Sequence, residues 1–292
     1  MQSPSKEKLN QIEEYQRRLA QGLNPEPLVP LIDLKEIAGD ENYDRVTHIE
    51  SLKTTSTTHL RGQEISYQTT SKRLLWQAFG QEHIEPDLLN FIDEIPADSV
   101  YFDIGASNGI FALYAAATGK KVFCFEPEAA NFALLSHNTF LNHKSHRHPA
   151  SNFNVALSDT TELGSIFIEK YEAGGHLKIL DAPIKRKSVE FQPDFRQAVL
   201  KYRMDDFMAL TKIPPPEYIK IDVDGYEQQV LRGMIQTLSS QTVKKILIEL
   251  EEDGENFTAC RDILQTLGFK IESQKRVQNY FGENNFIFSR KS

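Results

Sequence analysis

Two acidic residues, Asp103 and Glu126, stand on either side of a turn made of small residues. The turn consists of Gly105, Ala106, Ser107, Asn108 and Gly109. Because these side chains are small, a ligand can approach the backbone closely, and the glycines can adopt positive φ. An acid that follows a glycine turn by roughly 20 residues is typically placed to hold a ribose diol. The pattern therefore predicts that these residues bind a cofactor that contains a nucleoside.

The carboxylate of Asp103 distinguishes between two kinds of cofactor. A pyrophosphate is usually held by G-x-G-x-x-G, whereas this turn has the form G-x-x-x-G and follows an acid. A carboxylate would repel a pyrophosphate, but it suits the amino group and the positive sulfonium of S-adenosylmethionine. The sequence therefore favours a methyl donor. The alternative is that the glycines only form a turn and that Glu126 is a solvated strand end.

Three further acids are expected to meet at one edge of a sheet. Asp222 follows the run YIKI, Glu249 follows the run KILI, and Glu227 opens a predicted helix. Parallel strands deliver the residues at their carboxyl ends to the same edge. Carboxylates at short range cannot all be ionised cheaply, so one of them is expected to have a raised pKa and to accept a proton near neutrality. Asp222 is the first candidate for this base and Glu249 the second, with Glu227 in an orienting role.

Several polar residues near this edge have two interpretations each. The acids could bind Mg²⁺, because oxygen ligands suit that ion, or Glu227 could only complement a helix dipole. Asp159 could accept a hydrogen bond from the adenine amine, or it could cap a turn. His176 lies beside two glycines in a long excursion and is a candidate mobile acid or base. The basic run at residues 185–187 could hold an anionic acceptor or lie on a solvated edge.

Apolar runs that alternate with helical patterns must position these residues. The runs at residues 100–104, 122–125, 218–221 and 245–248 predict buried parallel strands. The predicted fold class is α/β, with a Rossmann-like, doubly wound and mostly parallel sheet. Residues 1–97 are expected to form a mainly helical region that caps the domain or recognises the acceptor, and residues 98–292 the catalytic domain. In the first region, Trp76 and Phe79 follow a helical pattern and are expected in the core.

The composition narrows the class of protein. The chain has 292 residues and a formal net charge of −8, which disfavours a general nucleic-acid or anionic-membrane surface. No apolar run approaches the roughly 18 residues of a membrane span. Cys124 and Cys260 have no metal-ligand spacing and are expected to be reduced packing residues, so a cytoplasmic location is expected. The sequence does not decide whether the protein forms a homo-oligomer.

Five motifs of the chain resemble those of a known family. They are DIGASNG (103–109), FEP (125–127), NVALSD (154–159), MDDF (204–207) and YIKIDVDGYEQQVLRGM (218–234). They resemble the FkbM-type S-adenosylmethionine-dependent methyltransferases over residues 99–290. The last motif is the specific one, since DIGASNG alone would fit many class I methyltransferases. The resemblance implies a seven-stranded sheet with an antiparallel last strand. It also implies O-methylation of a hydroxyl on a sugar, a glycan or a polyketide-like metabolite.

Other functions compete with this interpretation. A nicotinamide-dependent oxidoreductase is disfavoured by Asp103 and by the missing third glycine. A methyltransferase that acts on nucleic-acid amines would carry an Asn/Asp-Pro-Pro-aromatic motif where this chain has IKIDVDGYE. A non-catalytic cofactor-binding or scaffold protein is the alternative from a different class, and the intact turn and the edge acids argue against it.

Overall fold

The computed structural model describes residues 6–21, 34–175, 178–185, 189–252, 255–276 and 283–290. The chain divides into two compact units, residues 1–53 and 54–292. The first unit contains helices α1 (Lys6–Ala20), α2 (Leu34–Ala38) and α3 (Asp40–Ser51). The boundary between the two units falls after Lys53. That residues 1–97 cap the catalytic domain or recognise the acceptor stays a prediction.

The second unit contains all the other elements. Its helices are α4 (Lys72–Phe79), α5 (Gln81–Ile84), α6 (Pro86–Glu94), α7 (Ile110–Ala117), α8 (Ala129–Asn142), α9 (Met204–Thr211), α10 (Glu227–Gly233), α11 (Ile235–Ser239) and α12 (Glu255–Thr266). Its strands are β1 (Thr55–Leu60), β2 (Gln63–Gln68), β3 (Val100–Ile104), β4 (Lys121–Phe125), β5 (Ser151–Phe153), β6 (Ala156–Leu157), β7 (Glu162–Ile168), β8 (Lys178–Leu180), β9 (Ile184–Lys185), β10 (Val189–Glu190), β11 (Phe195–Tyr202), β12 (Tyr218–Ile221), β13 (Lys245–Glu251), β14 (Phe269–Arg276) and β15 (Glu283–Arg290). No helix among the described residues is long and apolar enough to cross a membrane.

A seven-stranded sheet forms the centre of this unit, in the order β14-β15-β13-β12-β3-β4-β5. The neighbours from β13 to β5 are parallel, and β15 is antiparallel to both β13 and β14. The predicted α/β class, with a Rossmann-like sheet and an antiparallel last strand, is confirmed. The strand order reverses between β3 and β12, and ligands of such sheets lie beyond the carboxyl ends of the strands at this point.

Apolar clusters cover both faces of the sheet. Tyr101 and Leu247 belong to the cluster on the face that α6 and α7 cover, and Phe102 and Ile219 belong to the cluster on the other face. Because both faces are buried, β3 and β12 are apolar almost throughout. The exceptions are Asp103 and Lys220, and a charge buried in such a strand needs a partner.

Smaller elements surround the central sheet. A four-stranded sheet has the order β6-β11-β7-β8, and two hairpins pair β1 with β2 and β9 with β10. The excursion predicted at residues 170–193 contains β8, β9 and β10. His176 and two residues of the basic run, Arg186 and Lys187, lie outside the described residues.

The prediction that Trp76 and Phe79 lie in the core is wrong. Their exposed fractions are 56% and 54%, and α4 instead buries Gln77 along with Leu74 and Ala78. Gln77 donates to the Gly174 carbonyl at 3.0 Å and accepts from the Asn108 side chain at 2.9 Å. This buried polar contact fixes which side of α4 faces inward and leaves the aromatic rings outside.

Candidate functional site

The turn after β3 comes into close contact with the end of β12. Gly105 has a φ of 79°, and a Cβ built on it would lie 1.8 Å from the carbonyl oxygen of Asp222. Gly109, with a φ of 85°, precedes α7, and a Cβ there would lie 2.5 Å from the Leu135 side chain. Glycine is therefore needed at both ends of the turn, for its conformation and for its lack of a side chain.

The carboxyl group of Glu126 is fixed next to this turn. Glu126 follows β4 and is buried; its Oε2 accepts from Ser107 N at 2.8 Å, and its Oε1 accepts from Glu128 N at 2.9 Å. Burial raises the pKa of Glu126 to about 7, although the two backbone donors and Lys178 oppose the shift. Each oxygen accepts one backbone hydrogen bond and keeps a further lone pair for a ligand.

A cleft lies beyond the ends of β3 and β4. The polar part of its wall includes Gly105, Ser107, Glu126 and Asp222. Apolar parts of the wall are Ile104, Phe125, Val155 and Leu157. The cleft thus combines apolar wall residues with several polar groups, as a site for a small molecule with both kinds of surface requires.

The other residues of the turn make hydrogen bonds within the protein and do not face the cleft. Ala106 donates its N–H to the Phe125 carbonyl, and Asn108 bonds to Gln77 and Asn138. These residues, Gly109 and Asp103 are not part of the cleft wall. Of the residues predicted to bind the cofactor here, Gly105, Ser107 and Glu126 therefore line the cleft together. Ala106, Asn108 and Gly109 instead form the rest of the turn.

Lys220 lies between the two acids at the ends of β3 and β12. Its Nζ lies 3.2 Å from Asp103 Oδ1 and 3.5 Å from Asp222 Oδ2, and it donates to the Gly105 carbonyl at 2.8 Å. Burial opposes the charged form of Lys220, but Asp103 and Asp222 outweigh it and raise the pKa of the ammonium group. Burial also raises the pKa of Asp103, against the attraction of Lys220. Lys220 was missed in the sequence; the signal was a lysine inside the apolar run YIKI.

A row of polar side chains continues from Asp222 across the sheet. Ile221 is level with Ile248, so Asp222 and Glu249 are the next residues at the carboxyl ends of β12 and β13. Glu249 in turn pairs with Asn285 of β15. Asn285 Nδ2 donates to Glu85 Oε2 at 3.4 Å, and Glu85 directly precedes α6. We call Asp222, Glu249, Asn285 and Glu85 the polar row.

Glu85 is the acid of the polar row that the sequence did not suggest. Burial, followed by the charge of Asp222, raises the pKa of Glu85 to about 7. Its position depends on the packing of α6 against the sheet, which no local pattern encodes. Asn285 was also missed, since no motif of the sequence marks it as part of a site.

Glu227 makes its contacts away from the cleft. It is fully buried in the first turn of α10, where Oε1 accepts from Gly225 N at 3.0 Å and Oε2 accepts from the Asn256 side chain of α12. It does not line the cleft. The structure thus brings Asp222 and Glu249 to one edge and places the Glu227 carboxyl between two helices.

The far end of the cleft contains an ion pair that the sequence did not reveal. Lys178 Nζ lies 2.5 Å from Glu128 Oε2, and both side chains are almost fully buried. Glu128 also caps α8 by accepting from Ala130 N and Asn131 N. Asp159 accepts from Ser158 Oγ at 3.3 Å and is not part of the cleft wall, where Leu157 is the neighbouring residue.

The Mg²⁺ interpretation of the acids has no support among the described residues. Across the described ranges, no group of three or more His, Cys, Asp or Glu side chains is arranged to hold a metal ion. The donor set therefore does not fit the Mg²⁺ interpretation.

Comparison with known proteins gives a family match. The model of the methyltransferase FkbM domain matches residues 103–271. The hexuronic acid methyltransferase AglP of Haloferax volcanii is 25% identical over 168 residues, which cover 57% of this chain and 62% of that protein. Methyltransferase 1 of Beauveria bassiana is 23% identical over 195 residues, which cover 62% of this chain and 76% of that protein.

Solved structures of methyltransferases are also similar to this chain. The FkbM methyltransferase from Methylobacillus flagellatus KT gives a TM-score of 0.48 at 13% identity, with 94% of this chain and 65% of that chain covered. The magnesium protoporphyrin IX methyltransferase of Synechocystis PCC 6803, solved with S-adenosylmethionine bound, gives 0.45 at 10% identity, with 89% and 98% covered.

Proposed function

The chain belongs to the family of S-adenosylmethionine-dependent methyltransferases with an FkbM domain, and we propose that it methylates a hydroxyl oxygen of a sugar, a glycan or another small metabolite. One observation carries this proposal: Asp222 lines the cleft that contains Glu126, and it also begins the polar row. A base at this position would contact the acceptor hydroxyl where that hydroxyl lies next to a methyl donor in the cleft.

The cleft fits S-adenosylmethionine, which would supply a methyl group on a positively charged sulfur. Glu126 would accept hydrogen bonds from the ribose hydroxyls, because its oxygens are fixed by Ser107 N and Glu128 N and keep further lone pairs. Gly105 lines the cleft, and its lack of a side chain lets the turn pack against the backbone of Asp222. Asp103 pairs with Lys220, and its contribution would be to hold the turn through the bond from Lys220 to Gly105. A contact between Asp159 and the adenine amine stays a prediction.

The acceptor would bind at the polar row with its hydroxyl directed to Asp222. Asp222 would take the proton of the hydroxyl that receives the methyl group from the sulfonium sulfur, and Lys220, 3.5 Å from Oδ2, would fix the orientation of the carboxylate. Positioning alone supplies about 7–11 kcal/mol in well-oriented reactions, and a general base adds roughly 10²–10⁴-fold. Glu249 is the second candidate base, because it lies next to Asp222 at the same edge.

A sugar acceptor has some support from the comparisons. AglP is named a hexuronic acid methyltransferase, but the aligned part of this chain spans only 62% of it. The hexuronic acid in the name of AglP is therefore only a reason to test sugars first.

The first test is calorimetric titration of the protein with S-adenosylmethionine and, separately, with NADH. We expect micromolar affinity for S-adenosylmethionine, weakened by roughly 100-fold or more in Glu126→Ala because charged hydrogen bonds to the ribose are lost. Glu64→Ala, at an exposed acid of β2, is the matched control. Binding of NADH alone would favour an oxidoreductase. Binding of neither ligand would contradict the proposal that the cleft holds S-adenosylmethionine.

The second test is transfer of a labelled methyl group to a panel of glycosides. An O-methyl ether resists alkali, whereas a methyl ester is hydrolysed, so alkaline treatment of the product identifies the oxygen that was methylated. A label released by alkali would contradict ether formation while leaving methyl transfer intact.

A further inference from the structure

The side chains of the polar row indicate which methyl acceptors would bind there. We infer that it selects uncharged, hydroxyl-rich acceptors and rejects anionic ones such as hexuronates. This inference rests on the proposed function, since it concerns the acceptor of the same reaction.

Most groups of the row accept hydrogen bonds rather than donate them. Glu85, Asp222 and Glu249 are carboxylates that offer only acceptor oxygens when they are ionised. Hydroxyl groups are the complementary donors, and their bonds to carboxylates are charge-assisted. A polyol presents several such donors in one small molecule, which matches a row of acceptors on neighbouring strand ends.

The side-chain oxygen of Asn285 lacks a hydrogen-bond donor, which is an independent indication that a ligand binds at the row. Its side chain is 3% exposed, and its Nδ2 donates to Glu85, so its amide group lies within the row. Its Oδ1 is buried and has no hydrogen-bond partner among the described residues. A buried acceptor left without a donor costs about 1–3 kcal/mol. A ligand hydroxyl placed at the row would supply that donor.

The charges around the row disfavour an anion. Within the described part of the chain, Glu85, Asp103, Asp222 and Glu249 supply carboxyl groups there, against the ammonium groups of Lys220 and of Lys275, which is level with Asn285 in the neighbouring strand β14. Lys220 is already shared between Asp103 and Asp222. In the cleft, Lys178 is paired with Glu128. An acceptor carboxylate bound beside Asp222 would therefore meet an excess of carboxylates, and such like-charge contacts cost several kcal/mol at interfaces.

The experiment compares sugars that differ only in charge. Methyl glycosides in the gluco, galacto and manno series are supplied in pairs, with either CH₂OH or COO⁻ at C6, together with labelled S-adenosylmethionine. The assay is run at pH 8, where Glu85 is mostly ionised because its pKa is about 7. We expect kcat/KM for the neutral member of an accepted pair to exceed that for the uronate by about tenfold or more.

Two variants test whether the row is the source of this preference. Glu85→Gln keeps the shape but removes a charge, so the ratio of kcat/KM between the neutral sugar and the uronate should shrink, through a lower KM for the uronate. Glu94→Gln, at an exposed acid of the same helix α6, should leave the ratio as it is. Asn285→Leu removes the buried oxygen and should raise KM for the neutral sugar by about tenfold.

The outcomes separate this inference from the proposed function. Equal use of both sugars, preference for the uronate, or an unchanged ratio in Glu85→Gln would overturn the inference and leave sugar O-methylation standing. Binding of S-adenosylmethionine without methylation of any glycoside would overturn the sugar acceptor, and the inference with it.

Discussion

Gly105 and Asp222 touch through their backbones: a Cβ on Gly105 would lie 1.8 Å from the carbonyl oxygen of Asp222. The contact joins the ends of β3 and β12, two parallel neighbours at the point where the strand order reverses. It links the turn proposed to face the cofactor with the acid proposed to take the acceptor proton. Any side chain at Gly105 would push these two parts of the site apart.

We therefore expect Gly105→Ala to lower both stability and cofactor affinity. The φ of 79° alone costs an alanine about 1–2 kcal/mol, and the overlap with Asp222 adds to this. Gly62→Ala is the matched control, because Gly62 has a φ of 81° and nothing within 4 Å of its Cβ position. Denaturant unfolding and calorimetric titration with S-adenosylmethionine would measure the effects. Equal losses in the two variants would show that the contact with Asp222 is unimportant.

Lys220→Met should destabilise the protein by roughly 3–5 kcal/mol, because it leaves Asp103 as an uncompensated buried acid. The pKa of Asp103 is already raised by burial, and loss of the ammonium raises it further. Folded Asp103 then holds a proton that the unfolded chain releases, so the loss of stability grows as the pH rises. Lys244→Met, which breaks the exposed pair with Glu217, should cost about 1 kcal/mol or less.

The double variant Asp103→Asn/Lys220→Met provides the check on this explanation. It removes both charges and should recover part of the stability lost in Lys220→Met, as measured by urea unfolding. A double variant as unstable as the sum of the single ones would show that the pair is not coupled.

Asp222→Asn should bind S-adenosylmethionine normally and turn over roughly 10²–10⁴-fold more slowly, because the amide cannot take the acceptor proton. Glu227→Gln should instead act mainly on stability, since its carboxyl group contacts Gly225 and Asn256 between α10 and α12. Single-turnover assays and thermal unfolding of both variants separate the two effects. Full turnover in Asp222→Asn on an established acceptor would rule out this base.

Affinity for S-adenosylmethionine should rise with pH up to about 7 and then level off. Burial raises the pKa of Glu126 to about 7, and the ionised carboxylate is the form that accepts hydrogen bonds from ribose hydroxyls. If only that form binds, affinity falls about tenfold for each pH unit below the pKa. Calorimetry from pH 5.5 to 8.5 would measure the profile. Glu126→Gln, which does not titrate, should lack the inflection, and an unchanged inflection in that variant would assign it to another group.

The catalytic domain was largely predictable because its signals are local. Apolar runs that end in acids indicate buried parallel strands, and a turn of small residues before a helix indicates a ligand that approaches the backbone. The family motifs add the antiparallel last strand, which pairs with β13 and β14 as expected. Trp76 and Phe79 mark the limit of this approach, since helical spacing does not tell which side of α4 faces the protein.

By itself, the sequence determined the strand, turn and helix order, the position of Glu126 after its strand, and the family of the enzyme. Only the tertiary structure decided which charged groups meet. Lys220 pairs with Asp103 across 117 positions of sequence because β12 and β3 align in register. Glu85 contacts Asn285 because α6 packs against one face of the sheet, and Glu227 points to α12 instead of the cleft. Such contacts depend on register and packing between distant segments, which no short stretch of residues encodes.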